Sequence, residues 1–312
     1  MSIPGIFATL LLIAVAATAI LYVARPAMLF DWLIAITRRL ARVRWKTIEV
    51  DGITWPYLEG GPPDGEVLLL VHGFGAEKDH WLAYARQFSK TYRVVIPDVP
   101  GFGEATKSAD LDFGMAAQAE RLDGFLQALG ISRCHAAGNS MGGYIVLKLA
   151  LDNPARLESL TLLNNAGVSG SGRTELEEAV ARGESPLVMR SPADVDRLLA
   201  FTMVKPPHIP ARFKQVVFDQ NGPHADFRDD VFAVLSRDHV QNPLNSRLPE
   251  VRVPTLVIWG RHDRLIDVSC VEVLQAGVPD CESYVFEDLG HMPMVEAPVR
   301  TARRHIAFLD RE

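Results

Sequence analysis

Little in this chain points to a metal, a nucleotide or a nucleic acid. It has no HExxH pair and no cluster of His, Cys and carboxylate residues at metal-ligand spacing, so nothing in it reads as a metallohydrolase. It has no Walker-type glycine loop, and phosphoryl transfer from a nucleotide therefore has no cradle. No internal repeat or low-complexity tract suggests a solenoid. Three cysteines, Cys134, Cys270 and Cys281, are too few for a disulfide framework, and their spacing leaves open whether the last two meet. Negative charge predominates, at a formal −6, but unevenly. The first 46 residues hold six Lys/Arg against one acid, so they carry +5 and the remainder −11. An acidic body argues against nucleic acid as a partner.

What is present is a globular composition, 48% apolar and 22% charged, with one exception at the start. Ile3 to Ala24 contains no charged residue and is long enough to span a bilayer as a helix. It lacks the basic residues that precede a cleaved signal and a small-residue cleavage site, so it reads as a retained single-pass anchor. From Met28 to Trp45, Leu29, Trp32, Leu33, Ile36, Leu40 and Val43 recur at helical spacing, with Arg38, Arg39, Arg42 and Arg44 in the second half. That pattern predicts an amphipathic helix lying on an anionic membrane surface, or packed on its own domain or on a second copy. The basic residues after the span would place the body in the cytoplasm by the positive-inside tendency.

Beyond Thr47 the pattern changes to alternating strands and helices. A hairpin is expected over Thr47–Val50 and Ile53–Leu58 around Asp51-Gly52. Apolar strands are expected at Val67–Val71, Arg93–Pro97, Ser132–Ala137, Leu160–Leu163, Thr255–Trp259 and Ser283–Phe286, with helices between them. Such alternation predicts a mostly parallel α/β sheet covered on both faces, with functional loops beyond the carboxyl ends of the strands. Between Leu163 and Thr255 no strand is expected. Helical patterns at Thr174–Gly183, Ser191–Val204, Ala211–Asn221 and Asp226–Asp238 suggest an inserted lid. The expected organisation is an anchor and juxtamembrane helix over 1–46, a core over 47–167 and 248–312, and a helical lid over 168–247.

The chemistry gathers at strand ends. Gly138-Asn139-Ser140-Met141-Gly142 is a G-x-S-x-G string between a strand and a helix, the setting of a serine nucleophile on a sharp turn. The amide of Met141, at the start of that helix, is one expected oxyanion donor. His72-Gly73-Phe74-Gly75 follows another apolar strand and offers the amide of Phe74 as the second, with His72 ordering the loop. Asp263 follows the strand ending at Gly260, and His291 follows the one ending at Phe286. In that order they suit the orienting acid and general base of a triad with Ser140. Asp267 is the competing acid and His262 the competing base.

These residues resemble the α/β-hydrolase fold over roughly residues 47–312, and more narrowly membrane-anchored monoacylglycerol lipases of the α/β-hydrolase-domain-six type with their bacterial lipase and phospholipase A relatives. The resemblance rests on His72 to Trp81, Asp98 to Glu104, Gly138 to Gly143, Gly260 to Asp263 and Gly290 to Pro293. It implies Ser140, Asp263 and His291 as triad and a lipid ester as substrate, with no metal or organic cofactor. It also implies a bacterial inner-membrane location with a periplasmic body, against the charge argument, and a possible homodimer. Rival readings are a carbon–carbon bond hydrolase on the same fold and a non-catalytic receptor-like protein.

Overall fold

The computed structural model describes residues 3–311. Two helices come first, α1 (Ile3–Ala24) and α2 (Pro26–Leu40). Eight strands form one sheet: β1 (Val43–Val50), β2 (Ile53–Gly60), β3 (Val67–Val71), β4 (Arg93–Pro97), β5 (Cys134–Asn139), β6 (Leu157–Leu163), β7 (Thr255–Gly260) and β8 (Cys281–Phe286). Their order is β1-β2-β4-β3-β5-β6-β7-β8. The β1/β2 and β2/β4 pairs are antiparallel and the rest parallel.

Helices α3 (Leu82–Ala85), α4 (Met115–Ala128) and α5 (Met141–Asp152) alternate with the early strands. Between β6 and β7 come α6 (Glu175–Ala181), α7 (Asp194–Thr202), α8 (Ala211–Asn221) and α9 (Ala225–Gln241), with no strand among them. Helices α10 (Cys270–Gly277), α11 (Pro293–Glu296) and α12 (Pro298–Leu309) complete the fold.

The apolar strand runs follow from burial on both faces. Successive side chains of β3 point to opposite sides, so Leu69 and Val71 join a cluster with α4 and α5, whereas Leu68 and Leu70 join one with α3 and α12. Strand β7 is buried along its whole length.

The N-terminal segment departs from expectation in one respect. Helix α2 stops at Leu40, and Val43 to Trp45 belong to β1, which pairs with β2 from Val43↔Gly60 to Val50↔Ile53. Arg42, at φ 59, breaks the helix before the β-branched residues of β1. Helix α2 packs on its own body, with Leu29 buried and the Arg38 guanidinium bonded through Nε and Nη2 to Asp79 at 2.7 and 2.6 Å. Arg38 is therefore not a free membrane-facing cation, whereas Trp32, Leu33 and Leu40 stay exposed. Ile6–Ala24 within α1 has a mean hydropathy of 2.6 and none of it is buried in the body, so it is long and apolar enough to cross a membrane. All three cysteines are free.

Candidate functional site

Sheet register brings the strand-end loops together. Val71 pairs with Gly138 at the end of β3 and β5, so the His72 loop lies beside Ser140. Asn139 pairs with Leu163, and Leu163 with Ile258, which sets the loops after β6 and β7 next to one another. Gly260 pairs with Phe286, so the loops carrying Asp263 and His291 leave the sheet side by side.

Ser140 sits between β5 and α5 at φ 55, ψ −120. A positive φ on a residue with a side chain costs about 1–2 kcal/mol and makes the turn sharp. The turn is held by Ser140 N donating to the Leu163 carbonyl at 3.1 Å and by Ala166 N donating to the Ser140 carbonyl at 3.0 Å. Its tightness dictates the flanking glycines. A methyl group on Gly138 would meet the backbone of Gly142 and Gly143, and one on Gly142 the carbonyls of Val71 and His72. The loop after β3 also lies close, since a Cβ on Gly73 would lie 3.0 Å from the Ser140 Cβ.

His291 Nδ1 lies 2.8 Å from Asp263 Oδ2, and both side chains are buried. Oδ1 of Asp263 accepts the amides of Leu265 and Ile266 at 2.8 and 3.1 Å, which fixes the carboxylate plane. An ionised Asp263 makes Nδ1 the protonated nitrogen and leaves Nε2 of His291 as the basic atom. His291 is itself tied down, its amide donating to the Thr202 carbonyl at 2.8 Å and its carbonyl accepting from Asn139 Nδ2 at 3.0 Å. Asp267 is turned elsewhere, accepting the Ser269 amide at 2.9 Å. The amide of His262 donates to the Leu289 carbonyl at 3.0 Å, and its side chain is exposed.

The Phe74 and Met141 amides have no hydrogen-bond acceptor among the described residues. Met141 N opens α5, where unpaired amides and the helix dipole favour negative charge. His72 is engaged through both nitrogens, with Nδ1 2.8 Å from the Gly73 carbonyl and Nε2 accepting the Val99 amide at 3.0 Å. Burial pushes its pKa down to about 4, so the ring is a neutral brace between two loops.

The segment after β6 packs against this end of the sheet. Phe232 of α9 lies 5.3 Å, ring to ring, from Phe74, which also contacts Phe102 at 5.3 Å. Leu187, Val231 and Leu235 join the core cluster beneath α9. A cavity of about 560 Å³ opens beside Asp263, lined by Met203, His262, Asp263, Arg264 and Asp267 among others, but not by Ser140.

Two residues central to this geometry carry no signature in the sequence. Asn164 Nδ2 donates to Asp263 Oδ2 at 2.7 Å while its Oδ1 accepts the Gly260 amide at 3.1 Å. Asn139 joins the serine strand to the histidine loop. The one cue for Asn164 is its place at the end of β6, a strand end as favourable as those of β5 and β7.

Residues 66–298 match the alpha/beta hydrolase fold family. The chain is 36% identical over 253 residues to Lipase 1 of Psychrobacter immobilis, covering 81% of this chain and 79% of that one. It is 29% identical to the human protein named Monoacylglycerol lipase ABHD6, covering 80% of this chain and 77% of that one. A crystal structure of a membrane phospholipase A, described as a bacterial virulence factor, superposes with a TM-score of 0.89 at 40% identity, covering 98% of each chain.

Proposed function

The chain belongs to the alpha/beta hydrolase fold family, and from that premise we propose that it is a membrane-associated serine hydrolase of lipid esters, with Ser140, His291 and Asp263 as its triad. The observation that carries this reading is the positive φ of Ser140, in a tight turn between β5 and α5 of the kind a serine nucleophile occupies. The lipase, monoacylglycerol lipase and membrane phospholipase A relatives support esters of fatty acids as the substrate class.

In the proposed reaction His291 Nε2 takes the Ser140 hydroxyl proton as Oγ attacks the ester carbonyl carbon. The Phe74 and Met141 amides stabilise the oxyanion, each such donor being worth roughly 3–4 kcal/mol at the transition state. The C–O bond to the alcohol breaks and the leaving oxygen takes the proton from His291. Water, deprotonated by the same nitrogen, then attacks the acyl-enzyme, releasing the fatty acid and restoring Ser140. Asp263 orients the ring and stabilises its protonated form. Helices α6 to α9 act as the lid over this site, and α1 as a single-pass anchor that keeps the body beside its substrate.

The test is purified full-length protein assayed on p-nitrophenyl esters, monoacylglycerols and phospholipids, with Ser140→Ala alongside. Wild type should hydrolyse at least one class and react with a fluorophosphonate probe, and the variant should do neither. Retained turnover in Ser140→Ala would remove the nucleophile assignment, and no turnover of any ester by wild type would remove the proposed activity.

A further inference from the structure

The basic residues that follow the anchor do not form one membrane-facing stripe. Arg38 is taken by Asp79, and Arg42, Arg44 and Lys46 meet cations from a distant part of the chain. A cavity of about 1100 Å³ is lined by Arg42, Arg44, Lys46, Lys90 and Arg93, with Glu59 as its one carboxylate. Arg44 and Lys46 alternate along β1 and so share one of its faces. Lys90 and Arg93 come from the turn into β4.

Glu59 is already engaged by Lys46 and by Arg93 Nε at 2.7 Å. Burial alone would raise its carboxyl, but these two bonds outweigh it and hold the pKa below the usual range. Among the described residues, Arg42, Arg44 and Lys90 have no carboxylate within 4.0 Å. A net charge of about +4 thus converges on one cavity of an otherwise acidic body. Arg42 is moreover held at φ 59, a backbone conformation that side chains rarely adopt. Protection of the exposed β1 edge would account for Arg44 and Lys46. It does not account for Lys90 and Arg93, which lie off that strand.

The cavity is not part of the catalytic centre. Gly60 pairs with Val94 at the start of β4, the end of the sheet opposite the loops that carry Ser140, Asp263 and His291. We propose that it is an anion site that takes a phosphate ester. Two unpaired guanidinium groups and an ammonium suit phosphate, which accepts bidentate bonds from arginine. A phospholipid headgroup and a soluble phosphate share that chemistry.

The test follows the thermal unfolding of full-length protein in neutral detergent at low salt. One arm adds inorganic phosphate; the other uses mixed micelles carrying phosphatidylglycerol. Wild type should be stabilised in at least one arm, and Arg44→Glu with Lys90→Glu should weaken the apparent affinity by about tenfold or more. Arg44→Lys, which keeps the charge but loses the bidentate fork, should keep part of the response. A response confined to micelles identifies a lipid headgroup, and one to phosphate alone a soluble ligand. The proposal is overturned if wild type and the double variant respond alike to both probes, if wild type responds to neither, or if chloride at matched ionic strength reproduces the shift.

Discussion

Asn164 and His291 bond to the same carboxylate oxygen of Asp263, at 2.7 and 2.8 Å. Asn164 therefore fixes the direction in which Asp263 faces the imidazole. Its own backbone is held at φ 45 and its Oδ1 takes the Gly260 amide, so both ends of the side chain are committed. Loss of a hydrogen bond to a charged group costs about 1.5–3 kcal/mol. Asn164→Ala should lower kcat on a p-nitrophenyl ester by roughly tenfold to a hundredfold with a smaller change in KM. Unchanged kcat would mean that the amides of Leu265 and Ile266 orient Asp263 unaided.

The two candidate acids are separated by the same reasoning. Asp263→Asn keeps the shape of the side chain but offers His291 a different partner, and a triad acid so altered loses about four orders of magnitude in kcat. Asp267 holds the turn into α10 through the Ser269 amide, so Asp267→Asn should change kcat little and thermal stability modestly. Steady-state kinetics on the two variants decide between them, and the opposite ranking would move the acid role to Asp267.

His72 makes stability depend on pH. Its pKa falls from 6.5 in the unfolded chain to about 4 in the native one because burial disfavours the charged ring. Between these values the unfolded state binds the proton and the native state does not, so stability rises with pH. The contribution is complete above about pH 6.5 and is lost as pH falls toward 4, amounting to about 3 kcal/mol. His305, buried and lowered to about 3, adds to the same slope. Urea midpoints measured across this range should fall with acid in wild type and fall less steeply in His72→Asn. Parallel curves would show that His72 already titrates at its ordinary value.

Much of this arrangement is legible in the sequence because its parts announce themselves locally. Ser140 stands between glycines, and Asp263 and His291 follow apolar strands that end at Gly260 and Phe286. Helix α8 is bounded by Pro210 and Gly222, and its limits, Ala211–Asn221, are those that the sequence predicts. Asn164 is illegible because its role depends on the register between Leu163 and Ile258, a relation across about a hundred residues. The end of α2 is hidden for another reason. Val43 fits the helical spacing of Leu29 to Leu40, and only pairing with Gly60 turns it into a strand. The basic cavity mixes residues near 44 with residues near 90, so it too exists only after folding.

Lys78 and Asp98 form an ion pair at 2.7 Å with both side chains fully buried. Removing Asp98 leaves the buried Lys78 ammonium only Glu104 at 3.3 Å and Asp79 at 3.8 Å, so the loss falls short of the about 3–5 kcal/mol of a fully stranded charge. Asp98→Asn should show that loss as a lowered urea midpoint. Combining it with Lys78→Met should recover only part, because Asp98 also accepts the amides of Lys78 and Glu104 at 2.8 and 2.9 Å. Full recovery would mean that the pair adds nothing beyond its own charges.

The proposed lid and the proposed anchor are in direct contact through Phe213 of α8. Its ring meets Tyr22 of α1 at 5.4 Å and Phe30 of α2 at 5.6 Å, edge to face in both cases. Next to it, Arg212 Nη1 donates to the Val23 carbonyl at 2.9 Å, near the end of α1 where carbonyls lack helical partners. Each aromatic pair contributes about 0.5–1.5 kcal/mol. A helix of the proposed lid is thus held by the helix suited to the bilayer. Phe213→Ala should loosen α8, so that protease cleaves within residues 182–210 several times faster in full-length protein in detergent. It should also lower kcat/KM for long-chain esters more than for short-chain ones, because a long chain depends on how the lid meets the membrane-facing side. Wild-type cleavage rates together with an unaltered chain-length profile would show that α8 keeps its place without the anchor.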